Sequence, residues 1–275
     1  MQKKNGALNA IKIVVLSVVF LLYIFPFFVV LINSFKDRKD ILMNPLMIPA
    51  KLNLNNYIEA FTKMDYTHAF VNSLIITIFS VILIIVLSAM TAYIFVRRNW
   101  KFNQFMFFFM IASMTIPFQA IMIPLVKIYG SIGMMNNKWS LVYMYIGFGA
   151  SLAVFIYHGF IKSIPLELEE AALIDGCSPL QTFFKIVFPL LKSTTVTIAI
   201  LDILWIWNDF LLPSLVLISP EQRTLPLSVF YFYGTYTIEY GYAMAGLMLA
   251  IIPIIIVYLI MQRQIIEGVL RGSIK

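Results

Sequence analysis

The amino-acid sequence predicts an all-α integral membrane protein with six transmembrane helices, and three observations predict it. Of its 275 residues 61% are hydrophobic and only 12% charged, against roughly 45 to 50% and 25% in an ordinary soluble domain. Six stretches, 13–32, 70–96, 102–126, 139–161, 193–218 and 240–262, hold 144 residues and only two charges, Asp202 and Asp209. Each stretch has 20 to 27 residues, enough at about 1.5 Å per residue to cross a hydrocarbon core of about 30 Å. No water is available there, so every backbone N–H and C=O must pair within its own segment, which makes the spans helices.

Span one, 13–32, follows Lys3, Lys4 and Lys12. This resembles a signal peptide, but the run is long and Asn33-Ser34-Phe35 offers no small-x-small cleavage site, so it is expected to remain as a span. The loop 33–69 is the longest polar stretch; Pro45, Pro49, Asn53, Asn55 and Asn56 predict turns, with a short helix near Tyr57 to Met64. Spans two and three are joined by five residues carrying Arg97, Arg98 and Lys101. With cytoplasmic termini the inner segments hold 12 Lys/Arg in 61 residues and the outer loops 8 in 70; the positive-inside rule therefore places both termini in the cytoplasm. The net charge of +7 is spread over every loop without a basic patch interleaved with aromatics, which points to lipid headgroups and not to nucleic acid. Cys177 is the single cysteine, so no internal disulfide or Cys-rich metal site forms.

The loop between spans four and five, 163–190, is read as helix, tight turn, helix. Ser163 is an N-cap candidate with Pro165 in the first turn. Glu167, Glu169 and Glu170 fall in the early turns, where the helix dipole favours negative charge. Gly176 suits a left-handed stop, Ser178 and Pro179 restart a helix, and Pro189 ends it. The three carboxylates are expected on an exposed turn with no His, Cys or nucleophile beside them, so catalysis and metal binding are not expected. Ala171 and Ala172 would form a flat patch, and Leu173, Ile174, Phe183 and Phe184 an apolar surface. The loop is then either a docking element or an amphipathic pair lying on headgroups.

The series Glu170, Ala171, Ala172, Gly176, Ile186, Phe188 and Pro189, with Asp175 before the glycine, resembles the EAA motif of the membrane subunits of binding-protein-dependent ABC importers. Phe188 stands where Leu is usual and Cys177 where Ala is frequent. The likeness runs over nearly the whole chain and is closest to the shorter permease of the maltose-type, carbohydrate branch. Asn33-Ser34-Phe35-Lys36, Asn56-Tyr57, Asn72-Ser73-Leu74, Ala92-Tyr93, Ile116-Pro117, Trp207-Asn208-Asp209-Phe210 with Pro213, and Thr224-Leu225-Pro226-Leu227 resemble its short signatures, in order.

The resemblance implies a type I ABC importer permease fold with a cytoplasmic coupling helix, one permease domain over 1–275, in a bacterial-type cell membrane. The function implied is translocation of a carbohydrate, an oligosaccharide, delivered by an extracytoplasmic sugar-binding protein. A second homologous permease would complete a heterodimer. Two ABC ATPase subunits would carry ATP and Mg, this chain binding no cofactor and catalysing nothing. ATPase coupling is implied for Glu169, Glu170, Ala171, Ala172, Leu173, Asp175, Gly176, Phe184 and Pro189. The tail 263–275, with Gly268, Gly272 and Lys275, would reach the ATPase interface, and Arg223 to Tyr240 would probe the binding protein.

Asp202, Trp205 and Asp209 fall at i, i+3 and i+7 on span five, with Asn208 beside them. A carboxylate within a span is expensive, so this face either lines the substrate path, the ring stacking on sugar C–H faces, or makes helix–helix contacts. His68 and His158 are expected as interfacial hydrogen-bonders, since nothing completes a metal set. Gly130 and Gly133, or Gly147 and Gly149, are no phosphate loop, for no G-K-[ST] follows them. Pumping by ATP would therefore need another polypeptide. The rival classes are a secondary carrier or channel, which would need ionisable relays and an inverted repeat, and an intramembrane enzyme, for which no nucleophile constellation is present.

Overall fold

The computed structural model describes residues 2–234 and 238–273, with side chains for residues 9–234 and 238–263. In chain order the helices are α1 (Gln2–Asn33), α2 (Arg38–Met43), α3 (Asn55–Lys63), α4 (Tyr66–Arg97), α5 (Lys101–Ser113), α6 (Phe118–Ser131), α7 (Lys138–Ile161), α8 (Glu167–Ile174), α9 (Pro179–Thr182), α10 (Phe188–Leu190), α11 (Lys192–Asn208), α12 (Leu211–Val216), α13 (Leu225–Val229) and α14 (Tyr240–Ser273). A π-helical turn, Phe183–Val187, joins α9 to α10. Among the described residues there is no β-strand, only one bridge between Tyr233 and Ile238.

Four of these helices are long and apolar enough to cross a membrane: α1 from Asn9, α4, α7, and α14 to Arg263. Two bent pairs are long and apolar enough only when each is taken together, α5 with α6 at 106° and the α9–α10 segment with α11 at 77°. There are thus up to six spans, if each bent pair is one span, and the stretches expected as spans three and five, 102–126 and 193–218, are not single helices. Pro117 breaks the first: it has no N–H to donate and excludes α geometry from the residue before it, so the chain leaves the helix at Ser113 and restarts at Phe118. The second ends at Asn208, where Asp209 turns extended (φ −70°, ψ 129°) and its Oδ1 accepts the Leu211 N–H at 3.0 Å, starting α12.

The chain forms two compact units, Met1–Tyr66 with Ser228–Pro253, and Thr67–Leu227 with Ile254–Lys275. In the first, the loop after α1 is held by a polar knot. Asn56 donates through Nδ2 to the carbonyls of Ser34 and Lys36, each at 2.9 Å, and the Ser34 and Tyr57 hydroxyls meet at 2.7 Å. Lys36, buried, donates through Nζ to Asn33 Oδ1 at 3.0 Å and the Asn44 carbonyl at 2.9 Å. Burial lowers its ammonium pKa, with Asp40 opposing. The short helix expected near Tyr57 to Met64 is α3.

The second unit holds the larger apolar core, built on α7. Leu141, Tyr145, Val154, Tyr157 and Ile161 of α7 meet Ile76 and Ile84 of α4, Ile198 and Ile206 of α11, and Phe183 and Val187 of the π-turn. Gly149 permits the closest approach: a Cβ there would lie 2.6 Å from Ile84 Cδ1 and 3.5 Å from Trp205 Cζ3. His158 stacks on Phe107 with ring centroids 3.9 Å apart.

Candidate functional site: the 162–191 loop and the end of α4

The loop opens where Ser163 caps the end of α7, donating its hydroxyl to the Phe160 carbonyl at 2.7 Å. It does not N-cap the next helix, which begins at Glu167. After α8 the chain turns through Gly176 at φ +84°, the left-handed region where a Cβ clashes with the backbone although the space around it is open. Ser178 then forms a reciprocal capping box: its Oγ accepts the Gln181 N–H at 3.3 Å and its N–H donates to Gln181 Oε1 at 2.9 Å. Pro189 falls inside α10, and the bend follows at Leu191.

Helical spacing sorts α8 into two faces. Glu169 and Ala172, three apart, face inward; Glu170, Ala171, Leu173 and Ile174 face out, with Ile174 86% exposed. Asp175, Gly176, Phe184 and Pro189 are exposed as well. Leu166, Leu168, Leu180 and Leu190, which the sequence did not single out, are exposed apolar side chains of the same loop. Two expectations are corrected. Ala172 and Phe183 are buried and contribute nothing to that surface, and Glu169 is not on an exposed turn but only 4% exposed.

Glu169 is buried because α4 supplies its partners. Tyr93 donates its hydroxyl to Oε2 at 2.7 Å, and Arg97 donates to Oε1 through Nε at 2.8 Å and Nη2 at 2.7 Å. Arg97 Nη2 also donates to the Ile164 carbonyl at 3.0 Å, and the Tyr93 ring packs on Phe183 with centroids 5.2 Å apart. Both carboxylate oxygens are satisfied, as a buried charge requires. Tyr93 and Arg97, one helical turn apart, so hold three parts of the loop: the lead-in to α8, α8 itself and the π-turn. The sequence carried Tyr93 only within a short signature and Arg97 only as a topology marker; a Tyr–Arg pair at i, i+4 ending an apolar span was the available signal.

The candidate substrate-path residues separate. Asp202 is 5% exposed, on the same stripe of α11 as the core residues Ile198 and Ile206, and its Oδ2 finds no hydrogen-bond partner among the described residues. Trp205 and Asn208 are exposed. Asp209 has left the helix, so the expected i, i+3, i+7 face does not form; its Oδ2 accepts the Tyr145 hydroxyl at 2.8 Å. Tyr145 is packed edge-on against Trp205. An open groove of about 680 Å³ adjoins the Met114–Pro117 break, lined by Tyr129, Tyr143, Gly147 and Ser151. Among the described residues no group of three or more His, Cys, Asp or Glu could hold a metal ion. Gly268, Gly272 and Lys275 cannot be placed on any surface: Gly268 and Gly272 fall in the backbone of α14, but their surroundings, like Lys275 and residues 235–237 of the Arg223 to Tyr240 segment, lie outside the described residues.

Comparison with known proteins now bears on this geometry. Residues 82–271 match the model of the family "Binding-protein-dependent transport system inner membrane component". The chain is 46% identical over 255 residues to the probable starch degradation products transport system permease protein AmyC of Thermoanaerobacterium thermosulfurigenes, covering 93% of each chain. It is 37% identical over 278 residues to the multiple sugar-binding transport system permease protein MsmG of Streptococcus mutans, covering 99% of this chain and 100% of the relative. It is 35% identical to the melibiose/raffinose/stachyose import permease protein MelC of Bacillus subtilis, covering 91% of each. Its fold matches a chain in the crystal structure of a bacterial ABC transporter involved in import of the acidic polysaccharide alginate, with a TM-score of 0.81 over 94% of this chain and 97% of that one, at 19% identity. With 190 of its 275 residues inside the family match and the relatives aligned nearly end to end, the chain belongs to the family of binding-protein-dependent transport system inner membrane components.

Proposed function

We infer that this chain is a transmembrane subunit of an ATP-driven ABC importer that translocates a carbohydrate, an oligosaccharide. Three relatives aligned over nine-tenths or more of their length are permeases for sugars or starch degradation products by name, which supports the substrate class. The termini and the 162–191 loop face the cytoplasm, as the distribution of Lys and Arg favours. The single observation that carries the mechanism is the two-faced α8, whose inward face is anchored and whose outward face exposes Leu173 and Ile174 beside Glu170. Such a surface on a cytoplasmic loop calls for a partner, and a helix seated by Glu170, Leu173 and Ile174 in a cleft of an ATPase subunit moves as that subunit closes. ATP and Mg reside on two such subunits; this chain binds neither and is not an enzyme. Nucleotide-driven closure then shifts the permease between inward- and outward-facing populations. A second, homologous permease completes the pore, and an extracytoplasmic sugar-binding protein meets the loop from Arg223 to Tyr240. Within one permease domain over 1–275, Trp205 and Asn208 are the residues of α11 left open to a sugar path, and the tail 263–275, with Gly268, Gly272 and Lys275, reaches toward the ATPases.

The reading is tested by reconstituting the complete complex in proteoliposomes and offering maltotriose, raffinose and arabinotriose with the binding protein. ATP-dependent accumulation of one of them is expected. Accumulation driven by an ion gradient without ATP would favour a secondary carrier.

A further inference from the structure

Two long helices of the second unit, α4 and α7, reach both of its functional ends. α4 is 32 residues long, and from Ser73 to Arg97 it spans about 36 Å at about 1.5 Å per residue. Of the four long spans it alone contains neither proline nor glycine: α1 has Pro26, α14 has Pro253, and α7 has Gly147, Gly149 and Gly159. Those residues are where helices kink or soften, and α4 has none of them. At one end it grips the coupling loop through Tyr93 and Arg97. At the other, Asn72 donates through Nδ2 to the carbonyls of Glu221 at 2.8 Å and Arg223 at 3.2 Å, and Ser73 Oγ accepts the Leu225 N–H at 2.7 Å. Lys138 fixes the Asn72 amide, donating to its Oδ1 at 3.2 Å. Asn136 grips the start of the same 217–225 loop: its Oδ1 accepts the Ile218 and Ser219 N–H groups at 3.0 and 2.8 Å.

We propose that α4 is the rod that links the ATPase-docking loop to the 217–225 loop on the opposite side of the membrane, with Tyr93 and Ser73 as positioning residues at its two ends. The proposal rests on the importer reading above. Coupling between two sites is reciprocal, and an element that both sites bias can carry it. Arrival of the binding protein at the 217–225 loop is therefore felt at the ATPase through α4, and ATPase closure at the 217–225 loop through the same helix. The connections act in series, so cutting one end disables the path and cutting the other adds nothing.

The experiment uses the complete complex in nanodiscs and reads ATP hydrolysis with and without the binding protein loaded with whichever of maltotriose, raffinose or arabinotriose stimulates the wild type most. Tyr93→Phe removes the hydroxyl from Glu169 and keeps the ring on Phe183; Ser73→Ala removes the acceptor for Leu225. A third variant, Ile82→Gly with Leu83→Gly on an exposed stretch of the helix, softens the rod and leaves both grips in place. Each is expected to assemble, to keep basal hydrolysis, and to lose about fivefold or more of the stimulation, within the usual span of a coupling factor. The double variant Tyr93→Phe/Ser73→Ala is expected to be no worse than the weaker single one. Undiminished stimulation in the variants, or losses that multiply in the double variant, would overturn the rod. A wild-type complex that the binding protein stimulates with none of the three sugars would instead overturn the oligosaccharide reading beneath it.

Discussion

Tyr93 and Glu169 stand 76 residues apart in the chain, yet the phenol donates to the carboxylate at 2.7 Å, and Arg97 closes on the other oxygen of the same group. This relationship divides the motif loop into an anchored face and a free one. It also makes the loop's position a property of α4 as much as of the helices before and after it in sequence.

Removing Arg97 leaves a buried carboxylate without its counter-charge. Arg97→Ala is expected to destabilise the folded protein by about 3 to 5 kcal/mol, and Arg97→Met/Glu169→Met together by much less, because the double change removes both charges from an apolar site. Thermal unfolding in detergent measures both. Equal melting temperatures for the two variants would show that the pair is not buried as described.

At Gly176 the constraint is the backbone and not the space. A side chain at positive φ costs about 1 to 2 kcal/mol, least for Asn. Gly176→Val is therefore expected to raise the ATP hydrolysed per sugar imported, and Gly176→Asn to stay near the wild type. The ratio of the two rates in proteoliposomes checks the order; Asn as damaging as Val would point to crowding by a partner.

The outward face should matter for assembly and not for folding. Ile174→Asp and Leu173→Asp are expected to leave the melting temperature of the isolated chain within about 0.5 kcal/mol equivalent, as exposed substitutions usually do, and to abolish co-purification of the ATPase. Retained co-purification would remove this face from the docking surface.

Burial separates the two ends of the candidate path on α11. Trp205→Ala is expected to lower sugar uptake severalfold with assembly intact, and Asp202→Asn to leave uptake unchanged, since Asp202 lies on the core stripe. Uptake assays in whole cells decide; loss of transport in Asp202→Asn with normal assembly would return that carboxylate to the path.

The sequence made the class and the helix–turn–helix form of the 162–191 loop legible because both are written locally. Charge-free runs of 20 residues or more follow from the solvent, and Gly176, Ser178 and Pro179 act on their own turns. What stayed hidden depends on contacts distant in the chain. The short signatures prove to be pairs: Ser34 and Lys36 with Asn56, Ser73 with Leu225, and Tyr93 with Glu169. Nothing in either member names the other. The same gap explains why Glu169 was expected on a surface, since its acidic position in a first turn is equally suited to solvent, and only Arg97 makes burial tolerable. The break at Pro117 was written in the sequence, but an apolar run is scored by composition, and composition does not register a bend of 106°.

The most direct measurement is to place a photo-crosslinking amino acid at Ile174, the most exposed apolar residue of the loop, in cells that express the whole complex. A single adduct joining this chain to the ABC ATPase subunit is expected, abolished by Leu173→Asp. Adducts with lipid alone would contradict it and make the loop an amphipathic pair resting on the headgroups.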